Sequence, residues 1–88
     1  MAAKSKPIVL SEHAKQQSAF RGCTEKEVIE AINTAQWIDA ELGRTECRKD
    51  FNFDQAWNKK KYKTKQVRPI FKEEIDKIVV VTVYVYYF

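Results

Sequence analysis

Glycine and proline are scarce in these 88 residues, with two of each, and there are only two cysteines and one histidine. Each shortage removes a class of function. Gly22 and Gly43 are too few and too far apart for a phosphate-cradling loop, and no serine sits in a nucleophile elbow, so P-loop hydrolysis and that type of esterase chemistry are excluded. A lone His13, with Cys23 and Cys47 at no metal-ligand spacing, argues against a metal centre, and no cofactor is called for. No stretch approaches the roughly 18 uncharged apolar residues of a membrane span, so no membrane partner is expected. The opening MAAKSKPIVL offers only Ile8, Val9 and Leu10 as an apolar run, too short for a secretory signal. The expectation is a cytoplasmic protein with reduced, partly buried thiols, a disulfide being the other reading.

What is present fits one small folded domain: 44% hydrophobic and 32% charged residues, with residues 1–7 read as a flexible N-terminus and 8–88 as the domain. Ser11 is a good N-cap for a helix running to Phe20 or Arg21, which Gly22 ends. Thr24-Glu25-Lys26-Glu27 has capping-box spacing, and Val28, Ile29, Ile32 and Ala35 repeat at helical intervals, so a second helix is predicted over 25–35. Cys23, just before that cap, is placed to staple against Val28. Beyond it, Trp37-Ile38 starts a short strand, Gly43 marks a turn, and Thr45 to Phe53 alternates as a strand. Asp54 to Lys63 has neither period and is read as a long hairpin loop leading to a strand near 64–72, with EEIDK (73–77) as a turn. Pro7 to Leu10 either adds a strand or feeds the first helix.

The closing run IVVVTVYVYYF (78–88) is the strongest strand signal, suited to a central position that ties down the C-terminus. Strict alternation places Val79, Val81, Val83, Val85 and Tyr87 on one face, and Ile78, Val80, Thr82, Tyr84, Tyr86 and Phe88 on the other. The fold class is therefore α+β: two N-terminal helices packed on a three- to four-stranded, mainly antiparallel sheet.

Three groupings carry candidate chemistry. His13, Gln17 and Arg21 form one helical stripe, which suits a proton-exchanging imidazole beside a guanidinium anion clamp; packing and helix-dipole roles explain the same residues. In the strands, Glu46, Arg48 and Asp50 share a face, as do Gln66, Arg68 and Ile70, opposite a buried Val67, Pro69 and Phe71. If Arg48 and Arg68 join the face of Thr82, Tyr84 and Tyr86, two guanidiniums and two phenols meet in a basin able to hold a phosphodiester. Alternatively Arg48 pairs with Glu46 or Asp50 and the tyrosines pack under a helix. Pro69 limits ladder donation, so its strand is an edge or carries a bulge. Finally, the net charge of +4 is concentrated in Lys59, Lys60, Lys61, Lys63 and Lys65, which with Lys49, Trp57 and Tyr62 have the composition of a non-specific RNA contact. A solvated loop tip accounts for the lysines equally well.

Leu10-Ser11-Glu12-His13-Ala14, Arg21-Gly22, Glu46 to Phe51, Gln66 to Phe71 and the closing VVVTVYVYYF, taken in order, resemble the domain of unknown function 4258 family over residues 8 to 88. That family, found in bacteria including cyanobacteria, is distantly similar to the RelE/ParE and BrnT toxin group. The resemblance implies a RelE-like fold, metal-independent RNA cleavage and an antitoxin-like protein partner. It assigns roles to His13, Arg21, Tyr84 and Tyr86, with Arg48 and Arg68 as basic strand positions. The leading expectation is a toxin-like endoribonuclease or RNA-binding domain. The competing one is a non-catalytic interaction domain, with a homodimer among its forms.

Overall fold

The computed structural model describes residues 6–88. Among these, the elements in chain order are β1 (Ile8–Leu10), α1 (Glu12–Phe20), α2 (Glu25–Thr34), β2 (Ile38–Asp39), a 3-10 turn (Glu41–Gly43), β3 (Thr45–Glu46), β4 (Lys49–Trp57), β5 (Lys60–Glu73) and β6 (Ile78–Tyr87). Both helices start where their caps dictate. The Ser11 side chain accepts from the Ala14 N–H at 3.1 Å. Thr24 and Glu27 exchange the two bonds of a capping box at 3.0 and 3.1 Å. Gly22 ends α1 at φ +82°, and a Cβ there would lie 2.6 Å from the Tyr87 hydroxyl and 2.7 Å from the Trp57 ring. Conformation and space both demand glycine.

The sheet corrects the expected three- to four-stranded, mainly antiparallel layer: it is six-stranded and mixed, in the order β1-β6-β5-β3-β2, with β4 also on β5. Ile8–Leu10 is a strand and runs parallel to Ile78–Val80. β1, β2 and β3 are two or three residues long, below the length at which alternation shows in a sequence. The flexible segment expected over 1–7 lies outside the described residues except at its end. There Lys6 bonds Glu73 at 3.1 Å, and the Ile78 N–H donates to the Pro7 carbonyl at 2.9 Å.

The long loop expected over 54–63 is instead a hairpin whose turn is only Asn58-Lys59, both left-handed at φ 52° and 70°. Paired positive φ values match the twist of the flanking strands, but without glycine the turn has no strong sequence signature. A bulge at Asp54 (φ 48°) shifts β4 against β5 between Asn52 and Gln55.

A second bulge changes the reading of β6. Ile70 pairs with Thr82 and Phe71 with Val80, so Val81 is an extra residue and the two halves of the strand are out of phase. Ile78 and Val80 join Val83 on the helix side, buried with Leu10, Ala14, Val28, Ile32, Val67 and Phe71. Strict alternation put Ile78 and Val80 on the opposite face; the inserted residue inverts that half while leaving Thr82, Tyr84 and Tyr86 outward. Pro69 lies in a central strand beside this bulge, not on an edge. Its carbonyl accepts from Cys47 N–H, so its missing donor is aimed at the gap between β3 and β4, where no ladder bond is lost.

Candidate functional site

The helices cover one face of the sheet, and the other is left open around the outward half of β6. Tyr84 and Tyr86 stand there 38% and 40% exposed, and neither packs under a helix. Arg68 is placed beside them because it pairs directly with Tyr84 across β5 and β6, and its Nη1 donates to the Tyr86 hydroxyl at 3.1 Å. Arg21 reaches the same place from the end of α1. Its Nη1 donates to the Val83 carbonyl at 2.9 Å, and its guanidinium lies 5.1 Å from the Tyr84 ring centre. Arg68 is 5.3 Å from the same centre. His13, one helical stripe earlier, has Nε2 3.3 Å from the Thr82 hydroxyl. His13, Arg21, Arg68, Tyr84 and Tyr86 are thus brought into one neighbourhood.

Electrostatics divide the arginines. Glu46 faces this side from β3, its side chain only 7% exposed, and binds Arg68 through both oxygens: Nε to Oε2 at 3.0 Å and Nη2 to Oε1 at 2.7 Å. Those bonds hold the Glu46 carboxyl below its usual range against the opposing effect of burial, and raise Arg68 further above the ordinary guanidinium value. Arg48 adds a looser contact to the same carboxylate at 3.6 Å and stays half exposed. The expected pairing of Arg48 with Glu46 is therefore present, and Arg68 is bound to that carboxylate more tightly still. Among the described residues, neither Arg21 nor Arg44 has a carboxylate within ion-pair distance.

Beside this cluster lies an open cleft of about 360 Å³, with Ile70, Thr82 and Tyr84 among its walls and Leu42 and Arg44 on the loop before β3. Leu42 is held at φ 60° with its side chain 84% exposed, an apolar group in a strained turn. Sequence reasoning missed Leu42 and Arg44, since the Gly43 turn signal says nothing about what its neighbours face.

The lysine segment divides as well. Lys59, Lys60, Lys61 and Lys63 are exposed on the hairpin. Lys65, grouped with them in the sequence, is buried instead, its ammonium 2.9 Å from Glu27 and 3.0 Å from the Gly22 carbonyl. Burial alone would raise Glu27, but the Lys65 and Thr24 bonds outweigh it and lower its pKa. Trp57 and Tyr62 are occupied too: they gather with Phe53 around Tyr87, with Trp57 stacked on it at 5.0 Å. Lys49 leans over Phe51 at 5.8 Å. Both cysteines are buried in the core outside any disulfide, Cys47 donating to the Ala31 carbonyl at 3.3 Å, and burial pushes Cys23 up to about 12, which leaves it unreactive near neutral pH.

No helix among the described residues is long and apolar enough to cross a membrane. The chain matches no protein-family model, and no curated protein or solved structure is significantly similar to it.

Proposed function

We propose that the domain binds single-stranded RNA on the open face of its sheet and cleaves it there in the manner of RelE-like toxins. The observation that supports this reading best is Arg21: a guanidinium with no carboxylate partner among the described residues, fixed against Tyr84 and one strand position from the residue His13 touches. In this reading Arg21 is the phosphate anchor. Arg68, already neutralised by Glu46, orders Tyr84 and Tyr86 and keeps few donors to spare. The exposed lysines of the hairpin extend the contact along the backbone.

Cleavage follows as a transesterification. The 2′-oxygen attacks the neighbouring phosphorus as its proton passes to His13, and the bond to the 5′-oxygen breaks. That leaving oxygen takes a proton from Tyr86, whose hydroxyl accepts from Arg68 and so has its own hydrogen free. The products are a 2′,3′-cyclic phosphate and a 5′-hydroxyl, and solvent water carries the proton held by His13 back to Tyr86, which restores both groups. An antitoxin-like partner would cover the same cations with an acidic segment.

Fluorescence anisotropy with a short single-stranded RNA, titrated with salt, tests binding. Affinity falls steeply with salt, and Arg21→Ala weakens it about tenfold, ~1.4 kcal/mol. His13→Ala keeps binding and loses cleavage. No binding at low salt overturns the proposal, and binding without cleavage leaves only its first half.

A further inference from the structure

We infer that β6 pairs edge to edge with the β6 of a second copy of this chain. The ladder fixes which backbone groups are available. Thr64 and Phe88 exchange N–H···O bonds at 2.8 and 3.0 Å, so even-numbered residues of this half of β6 turn their peptide groups toward β5. Val83, Val85 and Tyr87 turn theirs the other way. On that side β1 reaches only Val80, and Arg21 covers only the Val83 carbonyl. Among the described residues, the N–H of Val83 and both groups of Val85 and Tyr87 have no partner.

Other edges of the sheet are guarded. β4 carries Lys49, Asp50 and Asp54 with a bulge, and β1 and β2 are three and two residues long. Beyond Arg21 at Val83, β6 has none of these devices, and residues 78–88 contain no charged side chain. Arg21, on the Val83 carbonyl, is the one charge at this edge; over the uncharged remainder an antiparallel copy matches like with like. Centred on Val85, the pairing sets Val83 against Tyr87 of the second copy and completes up to six bonds. Tyr84 then lies opposite the second copy's Tyr86 on the open face, an aromatic cross-strand pair. The two Arg21 side chains stand about four residues apart, roughly 13 Å, beyond the screening length of about 8 Å at physiological salt.

A contact of this length falls well short of the roughly 1,600 Å² of a standard interface, so the dimer is weak, on the order of 10–100 μM. Sedimentation equilibrium from 5 μM to 1 mM shows a concentration-dependent dimer, and Val85→Pro raises its dissociation constant at least tenfold. The substitution removes an N–H that β5 does not use, so the monomer keeps its circular dichroism spectrum. Should that variant fail to fold, amide exchange on the unaltered protein decides: protection of Val85 and Tyr87 rises with concentration. A monomer throughout, protection independent of concentration, a dimer undiminished in folded Val85→Pro, or a monomer whose edge captures only foreign strand peptides overturns the inference. None of these outcomes depends on RNA.

Discussion

Replacing Glu46 by glutamine changes one atom and removes the charge that balances Arg68 and Arg48. The carboxylate is almost wholly enclosed and receives two charge-assisted bonds, at 3.0 and 2.7 Å. Removing one member of a buried pair costs about 3–5 kcal/mol, and an exposed pair is worth about 0.2–1. Arg68 keeps 24% of its side-chain exposure and can partly rehydrate, which discounts the buried figure to about 2–3 kcal/mol. For a domain of this length that lowers the melting temperature by roughly 10–20 °C. Urea melts followed by circular dichroism at pH 7 measure the loss directly.

The pH dependence gives an independent check. Arg68, against opposing burial and with help from Arg48, holds the folded carboxyl below its ordinary value of 4.5. The stability contributed by Glu46 is therefore complete above about pH 4.5 and is lost as pH falls through the lowered folded value. Glutamine does not titrate, so the gap between the two proteins narrows on acidification while Glu27 keeps both acid-sensitive. Removing both charges, as in Glu46→Leu with Arg68→Met, recovers most of the loss, because no unpaired group is left enclosed. A loss under about 0.5 kcal/mol at pH 7, or a gap that does not narrow in acid, refutes this account. In the same variant Arg68 is released, so RNA affinity rises and its salt slope steepens by about one.

Two further substitutions test the backbone. Gly22→Ala puts a methyl into the space held by Tyr87 and Trp57 at a left-handed φ, and costs more than about 2 kcal/mol in a thermal melt. Lys59→Gly relieves the left-handed turn residue at the hairpin tip and stabilises by about 0.4–1 kcal/mol, with RNA affinity falling only by the share of one lysine.

The parts of the fold readable in advance were those written in local chemistry. Ser11 and the Thr24–Glu27 box announce two helices because capping is a contact between residues three apart. Gly22 announces a stop because few residues accept its φ. The grouping of Arg68, Tyr84 and Tyr86 on an open face also follows from parity, since all three lie within one undisturbed stretch of ladder. Sequence could not give what depends on distant partners. Lys65 looks like its neighbouring lysines, and only the approach of α2 turns it into a buried ion pair with Glu27. Glu46 looks like one charge in a polar strand, and only its register opposite Ile70 sets it against Arg68.

The Val81 bulge is where these two kinds of information meet. Had β6 kept one phase, the valines from 79 to 85 would form a continuous apolar face, with Ile78 and Val80 turned toward water beside the tyrosines. The extra residue lets the first half bury Ile78 and Val80 in the core with Leu10 of β1 and Ala14 of α1 while the second half still shows Thr82, Tyr84 and Tyr86 outward. It also draws the Val80 and Val81 carbonyls to Ser11, the cap of α1, at 3.0 and 3.3 Å. The cap that starts the helix is thereby anchored to the strand at its change of phase, which fixes His13 over Thr82 and, two turns on, Arg21 over Tyr84. One inserted residue sets both the core and the spacing of the chemistry above it.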